Sequence, residues 1–207
     1  NFVFIYSKIK TASPGIWTMV TSADFRGSTA AATQTFINAI NKTDAGLVVI
    51  TGDFCTSPSA CPAGYDPAGF KAKISTTKTV YMVAGNHEGG SCTGCEDNVV
   101  KIFNGIQLAL IGCGDGGECT TRPKVFDWTL VKNTSPALVF MHTSFFNLCA
   151  GSHSFDADKQ AIRAHIDALP TVVGGACGHN HQIASAVVTI GGKDRIYVQE
   201  SSPTGSP

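Results

Sequence analysis

Four short motifs in this chain carry side chains that can bind metal ions. They are Gly52-Asp53, Gly85-Asn86-His87-Glu88, His142 and Gly178-His179-Asn180-His181. Carboxylate and amide oxygens together with imidazole nitrogens suit Mn, Fe or Zn without choosing among these metals. One such motif alone is a weak signal, but four along a single chain indicate a shared metal site.

Each motif follows a short apolar run that is typical of a buried strand. The runs are Leu47–Ile50, Val80–Val83, Ala137–Phe140 and Thr171–Val173. Glycine after a strand lets the backbone turn tightly. Open α/β sheets bind ligands at the carboxyl ends of their strands, so we expect these motifs to meet at one edge.

The motifs and their order resemble the calcineurin-like metallophosphoesterase superfamily, whose signature runs D-x-H, G-D, G-N-H-E/D, H and G-H-x-H. The resemblance extends over roughly residues 16–182. It implies a four-layer α/β/β/α sandwich of two mixed sheets flanked by helices. It also implies one or two metal ions and a small phosphorylated substrate, hydrolysed by a metal-bound hydroxide.

By this resemblance, Asp53 would bridge the two ions. Its partners would be Asn86, His142 and His179 in one site, and Asp24 and His181 in the other. His87 would be the acid near the leaving-group oxygen, a role that suits imidazole near neutral pH. Glu88 would orient either a ligand or His87.

The first motif departs from the family pattern, because it reads Asp24-Phe25-Arg26 and places arginine where histidine is expected. Arginine has no acceptor atom and cannot bind a cation. Arg26 could therefore point away from a weakened site, replace one metal and grip phosphate as a catalytic residue, or neutralise Asp24 and Asp53 in an inactive site. An iron–tyrosinate purple acid phosphatase is not expected, since Thr56 stands where such enzymes carry tyrosine.

Eight cysteines indicate either disulfides in an oxidising compartment or thiolate ligands of a structural zinc ion. We favour four disulfides, pairing 55–61, 92–95, 113–119 and 149–177. The alternative is a zinc site built from Cys92, Cys95, Cys113 and Cys119. Sequons at Asn41 and Asn133 fit a secreted glycoprotein. The N-terminal apolar run is too short for a signal peptide, so we expect the mature form.

Length and composition favour one α/β domain over residues 1–207, with a flexible tail at about 201–207. The net charge is zero, which argues against a nucleic-acid-binding surface. No apolar run approaches 18 residues, so no membrane span is expected. The sequence does not indicate whether the chain associates with itself.

The remaining elements predicted from the pattern are a strand at Ile16–Thr21, a helix from a Ser28 cap to about Asn41, and a short helix after Gly69. They continue with strands at Ile106–Ile111, Ala184–Ile190 and Arg195–Gln199 and a helix near Asp156–Leu169. His153 and His165 are given no role at the site. Asp115 and Glu118, in the cysteine-rich loop, are expected to be solvated.

Two functions remain for such a chain. The first is a secreted phosphoesterase acting on monoesters or diesters. The second is a non-catalytic extracellular binding or structural protein that keeps the fold with a degenerate metal site, for which Arg26 and the dense cysteines are the arguments.

Overall fold

The computed structural model describes residues 5–10, 16–25, 29–55, 57, 61–88, 92–114, 118–145 and 156–200. Arg26, Ser28, Thr56, Asp115, Cys149, His153 and the tail at 201–207 therefore lie outside the described residues. Within the described part of the chain, no helix is long and apolar enough to cross a membrane.

The first sheet has four strands in the spatial order β1 (Ile5–Lys10), β2 (Ile16–Ser22), β3 (Leu47–Ile50) and β4 (Thr79–Met82). Strands β2, β3 and β4 are parallel, because a helix crosses over between each successive pair, and β1 pairs antiparallel with β2. The predicted bounds of β2 to β4 agree within two residues. Strand β1 was not predicted.

The second sheet contains β5 (Val99–Phe103), β6 (Ile106–Ile111), β7 (Ala137–Met141), β8 (Val172–Cys177), β9 (Ala184–Ile190) and β10 (Lys193–Gln199). Their spatial order is β5-β6-β7-β8-β10-β9. The central pairs are parallel and the two outer pairs are antiparallel. Strand β8 ends at Cys177, four residues beyond the predicted run Thr171–Val173, so it delivers Gly178 and His179 directly from the sheet.

Three apolar clusters fill the spaces between the layers of the fold. Leu47 and Val49 of the first sheet pack against Leu108, Leu138 and Phe140 of the second, which joins the two sheets face to face. Helices cover the opposite faces, namely α1 (Ala30–Lys42) and α2 (Pro67–Lys73) on the first sheet and α4 (Ala157–Ala168) on the second. The predicted four-layer α/β/β/α sandwich is confirmed.

Helix α1 begins at Ala30, one residue later than a cap at Ser28 would place it. Thr29 is its N-cap, and the Thr29 hydroxyl accepts a hydrogen bond from the backbone N–H of Ala32 at 3.2 Å. The side of α1 that faces the sheet is apolar, and its residues Phe36, Ile37 and Ile40 are fully buried.

Two smaller elements that the pattern did not indicate follow β6, namely a short helix α3 (Thr121–Val125) and a 3₁₀ turn (Trp128–Leu130). Helix α4 ends against the buried Arg195, whose guanidinium donates to the carbonyls of Ile166, Asp167 and Leu169. These bonds satisfy carbonyls that a helix terminus leaves without intrahelical partners.

Three predicted disulfides are present, namely Cys55–Cys61, Cys92–Cys95 and Cys113–Cys119. The alternative zinc site is wrong, because its four sulfurs are bonded to one another in pairs. Within the described residues Cys177 forms no disulfide. It is a buried free thiol, and its predicted partner Cys149 lies outside those residues.

Candidate metal centre

The predicted ligand residues meet where strands from both sheets end. Asp24 follows β2, Asp53 follows β3 and Asn86 follows β4, while His142 follows β7 and His179 follows β8. The first three strands belong to one sheet and the last two to the other. The site therefore lies at the carboxyl ends of parallel strands in two sheets at once.

Four of the residues that meet at this site have a left-handed backbone conformation. Asp24, Asp53, His179 and His181 have φ angles of 60°, 57°, 74° and 51°. Such angles are uncommon for residues other than glycine and concentrate at functional sites, where the surrounding structure enforces them. Gly52, with φ at 97°, supplies the tight turn that the pattern predicted between β3 and Asp53.

Four candidate ligand atoms form one compact group. His142 Nε2 lies 3.4 Å from Asp53 Oδ2 and 3.1 Å from Asn86 Oδ1. His179 Nδ1 lies 3.2 Å from Asn86 Oδ1 and 3.3 Å from His142 Nε2. Ligands about 2.1 Å from one cation stand roughly 3.0–3.4 Å apart in octahedral or tetrahedral geometry. The group therefore fits a single cation.

A second group shares Asp53 and adds Asp24 and His181. Ligand atoms of Asp24, Asp53 and His142 all lie within 4.8 Å of one another, and all three residues are buried. His181 Nε2 is 3.5 Å from Asp24 Oδ1. The six residues predicted as metal ligands are thus all brought together. Arg26, two residues after Asp24, lies outside the described residues.

Backbone contacts set the orientation of His142 and Asp24. His142 Nδ1 lies 2.7 Å from the carbonyl oxygen of Thr51, which can only accept, so Nδ1 carries the proton and Nε2 faces the site. The backbone N–H of His179 donates to both carboxylate oxygens of Asp24 at 3.3 and 3.2 Å. His142 and Asp24 are therefore oriented by contacts with the protein backbone.

The electrostatics of the site favour a positive charge between the carboxylates. Burial alone would lower the pKa of His142, but the charges of Asp53 and Asp24 and the bond to Thr51 raise it to about 9. Burial works against ionisation of Asp53, yet the charge and hydrogen bond of His142 hold the Asp53 pKa well below its usual range. A cation would replace the proton on His142, as metal ligands require.

Glu88 and His87 contact Asp53 in different ways. The buried Glu88 carboxylate accepts hydrogen bonds from the backbone N–H groups of Asp53, Gly85 and Cys55 at 2.8, 2.8 and 3.1 Å. It therefore ties the loop after β3 to the loop after β4. His87 Nε2 lies 3.9 Å from Asp53 Oδ2, and about a quarter of the His87 side chain is exposed. That position leaves His87 accessible to a ligand.

One site residue was missed by the sequence analysis. The expected solvation of Glu118 holds in part, because 43% of its side chain is exposed, but its Oε2 also lies 3.9 Å from His179 Nε2 and contacts the buried Lys159. No sequence motif indicates a role for Glu118, because it stands in a glycine- and cysteine-rich loop. By contrast, His165 packs away from the site and stacks on Trp128, with ring centroids 5.9 Å apart.

Comparisons with known proteins agree with this geometry. The sequence model of the calcineurin-like phosphoesterase family matches residues 24–183, which is more than half of the chain. No curated protein is similar enough in sequence to match.

Several solved structures share the fold. A dimetal phosphatase from Danio rerio has a TM-score of 0.59 at 12% identity, with 92% of this chain and 89% of that chain covered. A phosphopantetheinyl hydrolase from Mycobacterium tuberculosis has a TM-score of 0.55 at 10% identity, with 89% of each chain covered. A purple acid phosphatase from yellow lupin (Lupinus luteus) seeds has a TM-score of 0.59 at 12% identity, with 89% of this chain and 46% of that chain covered.

Proposed function

The chain belongs to the calcineurin-like phosphoesterase family, and on that basis we propose that it is a metal-dependent hydrolase of phosphomonoesters or phosphodiesters. The observation that supports this most is the convergence of Asp53, Asn86, His142 and His179 at ligand–ligand separations of 3.1–3.4 Å. Bringing two imidazole nitrogens and two side-chain oxygens together away from water is costly unless they are compensated, and a bound cation would compensate them.

The donor set fits metal ions of the Mn, Fe or Zn type. Asn86, His142 and His179 would hold one ion with Asp53, and Asp24 and His181 would hold another. Bound cations would supply positive charge to the phosphoryl group and a nucleophile at neutral pH.

The protein residues would supply the remaining functions. Asp53 is fixed from both sides, because its carboxylate accepts from the His87 backbone N–H at 3.0 Å and its own N–H donates to Glu88. The His87 side chain, near Asp53 and partly exposed, would donate a proton to the leaving-group oxygen. Arg26, close in sequence to Asp24, would contact the phosphate with its guanidinium.

We also propose that the protein is secreted. Three disulfides support this, because disulfides persist in oxidising compartments and are rare in the cytosol.

The test measures metal binding and ester hydrolysis separately. Metal content per chain and turnover of p-nitrophenyl phosphate and bis-p-nitrophenyl phosphate would be measured for the wild type, Asn86→Ala and His87→Asn. We expect Asn86→Ala to lose metal and turnover together. His87→Asn should keep its metal and lose about 10²–10⁴ in kcat, as is usual for removal of a general acid. Full turnover in Asn86→Ala would overturn the proposal.

Arg26→His addresses the non-catalytic alternative. If the native chain binds no metal and hydrolyses neither ester, while Arg26→His gains both abilities, the native site is degenerate. If Arg26→His instead loses activity, Arg26 is a working residue of the site.

A further inference from the structure

His179 faces the metal site with one ring nitrogen and Glu118 with the other. Its Nδ1 atom faces Asn86 and His142 at 3.2 and 3.3 Å. Its Nε2 atom points the other way, toward the Glu118 carboxylate at 3.9 Å. A histidine that binds a cation through Nδ1 must carry its proton on Nε2, which is the atom nearest Glu118.

The backbone at Glu118 is held close to the ligands. Glu118 is adjacent to the Cys113–Cys119 disulfide, which closes the loop that bears it. The carbonyl of Glu118 accepts a hydrogen bond at 3.0 Å from the hydroxyl of Thr143, the residue after His142. The loop is therefore joined to the segment that carries a metal ligand.

The Glu118 side chain has a buried counter-ion. Lys159, on helix α4, is only 1% exposed, and its Nζ contacts Glu118 Oε2. Burying an ammonium group is costly unless it is paired. The Glu118 side chain itself is 43% exposed, so the contact with Lys159 is what fixes its carboxylate beside His179.

We propose that Glu118 is a positioning residue, which holds the Nε2–H of His179 so that Nδ1 points at the cation, with Lys159 anchoring the carboxylate. This inference rests on the proposed function, because it concerns the same metal site. Histidines that bind metals commonly donate their second N–H to a carboxylate, and loss of that partner typically weakens metal affinity 10- to 100-fold.

The experiment compares Glu118→Gln with Asp158→Asn. Both variants remove one negative charge, and Asp158, the neighbour of Lys159 in helix α4, forms an exposed ion pair with Lys124 at 3.0 Å. The Kd for Mn²⁺ would be measured by competition with a chelator, and the Tm of the metal-free protein would be recorded for both. We expect Glu118→Gln to raise the Kd 10- to 100-fold and also to lower the Tm, because the buried Lys159 loses its counter-ion. We expect Asp158→Asn to leave both unchanged, and the Kd values are compared at a temperature at which both variants are folded.

A second readout follows the proton itself. In protein loaded with Zn²⁺, the Nε2–H of His179 should be visible by ¹⁵N-resolved NMR and should exchange with water faster in Glu118→Gln. Equal Kd values and equal exchange rates in the wild type and Glu118→Gln would overturn the inference while leaving the proposed function intact. Failure of the wild type to bind Mn²⁺ or Zn²⁺ would instead overturn the proposed function.

Discussion

Replacing Gly52 by alanine should disrupt the metal site, because the added methyl group would clash with Gly85 and His142. A Cβ atom built at Gly52 would lie 2.7 Å from both the Cα and the N of Gly85 and 2.8 Å from Nδ1 of His142. Two of these contacts are with backbone, which cannot rotate away. The third is with the nitrogen that binds the Thr51 carbonyl and fixes the direction of the His142 ring.

Two costs add in this variant. The backbone at Gly52 has φ at 97°, and holding alanine in the left-handed region costs about 1–2 kcal/mol. Forcing an extra methyl group into a packed interior typically costs about 1–3 kcal/mol more. The sum is about 2–5 kcal/mol, a large share of the roughly 5–15 kcal/mol by which native domains are stable.

Gly105→Ala is a matched control for the backbone cost. Gly105 has φ at 78°, and a Cβ atom there would meet nothing within 4 Å. The control therefore carries the left-handed cost of about 1–2 kcal/mol without the clash. The free energy of unfolding of both variants would be measured by urea denaturation of metal-free protein, and Mn²⁺ affinity would be measured on the folded protein.

We expect Gly52→Ala to be less stable than Gly105→Ala by about 1–3 kcal/mol. We also expect only Gly52→Ala to lose Mn²⁺ affinity, because the clash displaces His142. Equal stabilities within about 0.5 kcal/mol, or wild-type Mn²⁺ affinity in Gly52→Ala, would refute the reasoning.

Two further predictions concern pH dependence and glycosylation. Burial raises the pKa of Glu200 to about 8 from 4.5, so between these values the folded metal-free protein holds a proton that the unfolded chain has lost. Its stability should fall as pH rises through this window, by at most about 1.4 kcal/mol per unit, and Glu200→Gln should flatten the slope in urea titrations. An unchanged slope would contradict this assignment. Asn133 and Asn41 are both exposed, but Asn41 Nδ2 donates to the Lys73 carbonyl at 3.0 Å and its Oδ1 accepts from the Ser75 backbone N–H at 2.8 Å, so in protein secreted from a eukaryotic host we expect glycan at Asn133 and not at Asn41. Glycopeptide mass spectrometry that finds Asn41 occupied would rule this out.

Strand positions and ligand types could be read from the sequence because each depends on neighbours along the chain. An apolar run such as Leu47–Ile50 is buried wherever it folds, and a glycine followed by aspartate turns at its end. The same local logic contained a signal for the missed strand β5. Asn104-Gly105, with φ angles of 47° and 78°, forms the tight turn of the β5–β6 hairpin, and Asn-Gly between apolar runs favours such turns.

The missed parts of the site depend on distant residues instead. Glu118 lies in a loop without a readable motif, and its place beside His179 depends on Lys159 from a helix 41 residues farther along. Likewise, Thr51 bonds to Glu200 across 149 residues and orients His142 through its carbonyl. Neither contact leaves a pattern in the neighbouring sequence.

The sequence by itself determined which residue types end the strands, and hence the family and the candidate ligands. Only the tertiary structure decided how those side chains are held, because the site forms where two sheets meet. The separations of 3.1–3.4 Å among Asp53, Asn86, His142 and His179 require packing of β3 and β4 of one sheet against β7 and β8 of the other. Local patterns report what a strand buries and where it ends, whereas the distance between strand ends is set by the packed core.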